Sequence, residues 1–207
     1  MSTSVIQGIL KKVWREARPW LLIAAVFLVL RSTGALSGLQ SAAGRVVLAS
    51  GFMNANPDSY DPGKKAFEYS FSVTTPDGKT VDFNTYRGKT VFLNLWATWC
   101  GPCRAEMPSI QKLYEQVGND SVQFVMLSID RQEDIQKVRD YVSSRNFTFP
   151  VFIAGDLPEQ LQVRIIPSTF VIAPDGTVAY RKTGMADYNT DKFKKFLHKV
   201  SSGESRD

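Results

Sequence analysis

The chain's two cysteines, Cys100 and Cys103, lie two residues apart in the stretch WATWCGPC (96–103), and no other feature restricts the fold as strongly. The apolar run VFLNLW (91–96) ahead of them has the pattern of a buried strand. The segment after them, RAEMPSIQKLYEQV (104–117), repeats Met107, Ile110, Leu113, Tyr114 and Val117 along one side of a helix. A Cys-x-x-Cys pair at a strand-to-helix junction suits a dithiol–disulfide switch. The spacing lets the sulfurs close a small ring, and the helix start supplies unpaired N–H groups and a positive dipole end that favour a thiolate. Zinc normally takes four ligands, and the single histidine, His198, stands near the other end of the chain. A structural bridge around so short a loop would gain little from chain entropy. The pair reads as redox-active.

With 207 residues and 43% apolar content, the chain can form one full-sized domain plus an extension. Its net charge of +5 is unevenly spread: residues 1–31 carry +4, from Lys11, Lys12, Arg15, Arg18 and Arg31 against Glu16. The remainder is nearly neutral and has no basic stripe for gripping nucleic acid. The basic residues 11–18 precede PWLLIAAVFLVL (19–30), a run of twelve that ends at Arg31. As a helix it would span roughly 18 Å, against about 30 Å of hydrocarbon. Length favours a cleaved signal segment, with Ala35-Leu36-Ser37 as a tolerable cleavage site. An uncleaved anchor is the preferred reading, because STGALSGL (32–39) is uncharged and extends the span if Arg31 snorkels. Either reading places the domain outside the cytoplasm by the positive-inside bias. The expected organisation is a basic N-terminus with anchor or signal segment (1–39), a linker (40–64), the domain (65–201) and a flexible tail (202–207). Leu39, Ala43, Val46 and Val47 suggest a short amphipathic helix at a membrane surface.

Within the domain, 66–73 and 80–83 read as a hairpin turning on Pro76-Asp77-Gly78. Strand 90–96 and helix 101–117 follow, with Pro102 in the first turn and Pro108 expected to kink the helix. Then come a strand at 121–130, a helix at 132–145, and a strand at 147–153 that Pro150 assigns to an edge or to partial pairing. A helical turn at 156–163, strands at 164–173 and 177–184, and a last helix capped by Thr190 complete the chain. Strands alternating with helices predict an α/β fold with a largely parallel sheet.

WCGPC resembles the active-site motif of the thioredoxin superfamily. The longer string FLNLWATWCGPCRAEMPSI (92–110) is similar to its extracytoplasmic, often membrane-tethered TlpA/ResA-like branch, over residues 65–200. The resemblance implies a thioredoxin fold, a central mixed sheet flanked by helices, with an N-terminal β-hairpin and an inserted αβ unit near 132–153. It also implies a thiol-disulfide oxidoreductase that needs no cofactor beyond its redox-active disulfide. Partners would be disulfide-containing or dithiol exported proteins, apocytochromes among them, and a membrane electron donor if it reduces them.

Cys100, at the helix start, is the expected attacking thiol and Cys103 the resolving one. Gly101 and Pro102 serve as turn and first-turn residues, and the Gly-Pro pair, as in thioredoxin, points to a reductant. Trp96 and Trp99 read as core and rim packing; the resemblance gives Trp99 a place bordering the site. Pro167, judged by position, would be a trans strand-entry proline. The match Ile-Pro-Ser-Thr-Phe (166–170) implies instead a cis proline against the dithiol, with the Ile166 backbone as an edge for substrate. Glu106 is a helix neighbour of Cys103. An acidic residue early in a helix commonly serves solvation and the dipole, but the resemblance implies an effect on active-site protonation. Asn94 stands where thioredoxin has a buried aspartate, so Glu106 or water must act as base. Arg104 and His198 read as solvated side chains. A peroxide-reducing role on the same fold is an alternative, though its proline before the reactive cysteine is missing here. A thiol-based metal or protein binding module is another, weakened by the placement of His198.

Overall fold

The structure, a computed structural model, describes residues 3–32, 35–51, 53–57, 66–118 and 121–203. Residues 52 and 58–64 of the expected linker, residue 65 of the expected domain and residues 204–207 of the expected tail lie outside them. The chain forms two compact units, residues 1–39 and 40–207.

The first unit contains helix α1, Thr3–Ser32, with Pro19 inside it. The apolar run 19–30 lies in this helix, and Trp20, Leu21, Leu22, Ile23, Val26, Leu28 and Val29 are all exposed. Among the described residues, no helix is long and apolar enough to cross a membrane. The run is only twelve residues, and Arg15, Glu16 and Arg18 stand just ahead of it.

Helix α2, Ala35–Ala49, carries the chain into the second unit. The expected linker therefore begins as helix, and from Ser41 onwards that helix is partly buried, through Ser41 and Leu48. Seven strands follow: β1 (Ser72–Thr74), β2 (Thr80–Asp82), β3 (Thr90–Trp96), β4 (Val122–Ser128), β5 (Val151–Ala154), β6 (Ser168–Ile172) and β7 (Val178–Thr183). They make one sheet in the order β2-β1-β5-β4-β3-β6-β7. Only β3–β4 and β4–β5 pair in parallel; β1–β2, β1–β5, β3–β6 and β6–β7 are antiparallel. The sheet is thus mixed, as the thioredoxin resemblance implies, and not largely parallel as strand–helix alternation alone predicts, because a hairpin is added at each end of a parallel centre. Pro150 does not mark an edge: it precedes β5, which has neighbours on both sides, and its carbonyl accepts from the Met126 N–H at 3.0 Å.

β3 is buried along its whole length, which explains its unbroken apolar pattern. Phe92 and Trp96 point into one cluster with Met107, Ile110 and Leu113 of α3 (Gly101–Val117), Val138 of α4 (Ile135–Ser144), and Phe193 and Leu197 of α5 (Asp191–Ser201). Val91, Leu93 and Leu95 point the other way, into a cluster closed by the aromatic residues Phe67, Tyr69, Phe83 and Tyr86. The first hairpin is shorter than its pattern suggests; Ala66 instead bridges to Thr177, and the side chains of Phe67, Tyr69, Phe83 and Tyr86 pack on the sheet face. α3 runs through Pro108 as one element. Thr190 caps α5, its hydroxyl accepting from the Phe193 N–H at 3.2 Å.

Candidate active site

β3 ends at Trp96, and the turn Ala97–Trp99 delivers the chain to α3 with Cys100 as its N-cap. The Cys103 N–H points at Cys100 Sγ, 3.2 Å away, so one orphan donor of the helix start is satisfied by sulfur rather than by the usual hydroxyl or carboxylate. The same donor and the helix dipole would stabilise a thiolate at that atom once the bridge is opened. Cys100 and Cys103 are joined as a disulfide, with Cα atoms 5.3 Å apart. Cys100 keeps 6% exposure and Cys103 none, so an incoming group reaches the first sulfur and not the second.

The Ile166–Pro167 peptide is cis. It places the Ile166 carbonyl oxygen 3.9 Å from Cys100 Sγ. Trp99, 63% exposed, and Ile165, 59% exposed, stand out among the large apolar side chains of the domain, and Pro102 is exposed as well. Gly101 is buried. Trp99, Cys100, Gly101, Pro102, Cys103, Ile166 and Pro167 therefore meet around the first turn of α3, and Glu106 lies beneath it. Of the bland candidates, the Arg104 guanidinium lies over the Tyr141 ring, 5.1 Å from its centroid, and His198 is exposed on α5.

Glu106 is fully buried. Its Oε1 accepts from Asn94 Nδ2 at 2.8 Å and its Oε2 from the Ala186 N–H at 3.0 Å. Asn94 Nδ2 also donates to Thr169 Oγ1 at 2.8 Å, tying the carboxyl to β3 and β6. Burial pushes the Glu106 pKa up to about 8, and the two donated N–H groups hold it back from rising further. Burial, reinforced by the Glu106 charge, also raises Tyr180 and Tyr188 above the ordinary phenol value.

A second buried carboxylate, Asp130, was not singled out from the sequence. It follows β4, and the parallel register brings it beside the Thr98 turn. Asp130 Oδ2 accepts from the Thr98 N–H at 2.8 Å and the Ser128 hydroxyl at 2.7 Å, while Oδ1 accepts from the Thr98 hydroxyl at 2.6 Å. These bonds fix the turn that presents Trp99 and Cys100. In the sequence, Ser128 and Asp130 alternate at the end of a strand pattern, but nothing local joins them to Thr98.

Comparison with known proteins agrees with this geometry. Residues 62–181 match the family described as AhpC/TSA. The thiol-disulfide oxidoreductase ResA of Bacillus thuringiensis subsp. konkukian is 33% identical over 134 residues, which cover 64% of this chain and 75% of that protein. The protein of the same name from Bacillus subtilis is 31% identical over 154 residues, covering 73% of this chain and 83% of that one. Among solved structures, a thiol:disulfide interchange protein of the thioredoxin family from Chlorobium tepidum superposes with a TM-score of 0.56. It is 25% identical, over 68% of this chain and 99% of that one. With its bridged Cys-x-x-Cys at a helix start on a thioredoxin fold, the chain belongs to the AhpC/TSA family of thioredoxin-like proteins, as a ResA-like thiol-disulfide oxidoreductase.

Proposed function

We propose that the protein reduces disulfides of exported proteins outside the cytoplasm, with Cys100 attacking, Cys103 resolving and Glu106 taking the proton of Cys103. The observation that carries this reading is the buried Glu106 carboxyl on α3, one turn from a cysteine that solvent does not reach. In the reduced protein the Cys100 thiolate attacks one sulfur of the substrate. The substrate S–S bond breaks, a mixed disulfide forms, and the departing sulfur takes up a proton. Cys103 then passes its proton to the Glu106 carboxylate and attacks Cys100 Sγ. The second substrate sulfur leaves as a thiolate and the Cys100–Cys103 bridge closes. Two electrons have moved from protein to substrate, so a dithiol donor must restore the protein after each cycle. A carboxyl titrating near the working pH is well matched to this proton transfer.

The Ile166 backbone beside Cys100 offers an edge to an extended substrate segment, and Trp99, Gly101 and Pro102 form the rim it crosses. An unfolded exported protein such as an apocytochrome has the extended, cysteine-bearing chain that such an edge accepts. The exposed apolar side chains of α1 support a membrane-held N-terminus, with the basic residues 11–18 on the cytoplasmic side. Labelling intact cells with a membrane-impermeant thiol reagent tests this placement: the reduced protein in the membrane fraction should react.

The decisive measurement is the equilibrium potential of the Cys100–Cys103 couple. A value near that of thioredoxin, about −270 mV, is expected; one near the strong oxidants, about −120 mV, would reverse the proposed direction. Cys103→Ser should trap a substrate on Cys100, and failure to trap any would count against exchange through that sulfur.

A further inference from the structure

The segment ahead of the family-matched region touches the redox centre at two points. On α2, Ser41, Gly44 and Leu48 fall on one helical stripe, and Ser41 and Leu48 are buried. The Ser41 hydroxyl donates to the carbonyl of Gly101, between the two cysteines, at 3.3 Å. A Cβ placed on Gly44 would sit 2.7 Å from Ala105 Cβ, so no larger residue fits there unless one helix moves.

Further along, Asn54 and Asp187 form a parallel bridge. The Ala55 N–H donates to the Asp187 carbonyl at 2.9 Å, and the Asp187 N–H donates to the Met53 carbonyl at 2.9 Å. The residue before Asp187 is Ala186, whose N–H holds Glu106 Oε2. One short segment therefore grips both the first turn of α3 and the loop that anchors the buried carboxyl. Both the segment and that loop fall outside residues 62–181, so the family match does not account for them.

We infer that residues 41–51 and 53–55 are a positioning element of the dithiol centre, with Ser41 and Gly44 seating α2 on the start of α3. The inference rests on the exchange activity proposed above. Gly101 lies inside the ring that the disulfide closes, so a clamp on its carbonyl acts differently on the bridged and open forms. Only such a differential contact can shift the equilibrium between them. Seating α2 also covers Ala105, which is buried and precedes Glu106 on α3. The groups set around that carboxyl are Asn94, Thr169, the Ala186 N–H and Cys103, with Tyr180 and Tyr188 close enough to feel its charge. Water admitted there would ease ionisation of Glu106 and move its titration to lower pH.

The test uses the full chain carrying Gly44→Val or Ser41→Ala, with Val46→Ser on the exposed face of α2 as control. Two quantities are read: the oxidised-to-reduced ratio in glutathione buffers, and the pH profile of disulfide reduction. Gly44→Val should change the equilibrium constant on the order of tenfold, within the range of ordinary coupling between sites, and shift the pH profile to lower pH. Ser41→Ala should move both in the same direction by less, and Val46→Ser should match the wild type. If Gly44→Val does not fold, Ser41→Ala decides alone: a shift in both readouts supports the inference, and wild-type values overturn it. A normal wild-type couple that neither variant moves overturns this inference only. A wild-type chain without a reversible couple overturns the exchange reading, and this inference with it.

Discussion

Asn94 occupies the strand position where thioredoxin carries a buried aspartate, and here it is hydrogen-bonded to the buried Glu106. The amide of Asn94 cannot accept a proton, yet it donates to the carboxyl at 2.8 Å and so moderates the upward push of burial. Glu106→Gln keeps the shape and removes the titrating group. The closing attack by Cys103 should slow by about 10²- to 10⁴-fold and lose its pH dependence near pH 8, while alkylation of Cys100 changes little. Stopped-flow release from a preformed mixed disulfide would measure this. Glu106 could be picked out because it stands three residues after Cys103, and Asn94 because the resemblance aligns it with thioredoxin's buried aspartate. Thr169 and Asp130 could not, since their partners lie across strand pairings that no local spacing encodes.

At the scale of elements, β3, α3 and α5 were legible because each carries a strong local pattern: an unbroken apolar run, a helical stripe behind Cys-x-x-Cys, and a threonine cap. The sheet's mixed character and the interior position of β5 were harder to read, because strand direction and neighbours depend on distant pairing. The helix that Leu39, Ala43, Val46 and Val47 suggest is present as α2, but Val46 and Val47 stay exposed and another face is buried. Its buried stripe is made of Ser41 and Gly44, small residues that carry little hydropathy signal although they meet α3 closely. The turn between β3 and α3 is an element in its own right, and its strength comes from the Asp130 carboxylate. Asp130→Asn removes the charge and leaves one accepting oxygen where the carboxylate offers two. It should cost about 3 kcal/mol in urea unfolding, the scale for losing hydrogen bonds to a charged group. Thr98→Ser, which keeps both donors, should lose much less.

For the molecule as a whole, one buried carboxyl gives stability a pH slope. Unfolded, Glu106 ionises near 4.5; folded, it keeps its proton to about pH 8. Below both values the two states bind the proton equally and the full stability is present. As pH rises between them only the unfolded chain releases the proton, so stability falls through that window and levels off above it. Urea midpoints taken from about pH 5 to about pH 8 should decline in the wild type and stay flatter in Glu106→Gln, a difference on the order of a few kcal/mol. A wild-type midpoint that rises over this range would contradict the buried, protonated carboxyl. The lone bridge between Cys100 and Cys103 also fixes what the molecule can store. With no third thiol in the chain, it holds either one pair of electrons or none, and has no reserve to draw on between encounters. Each visit to an acceptor must alternate with a visit to a donor, so its throughput follows the slower of the two traffic streams.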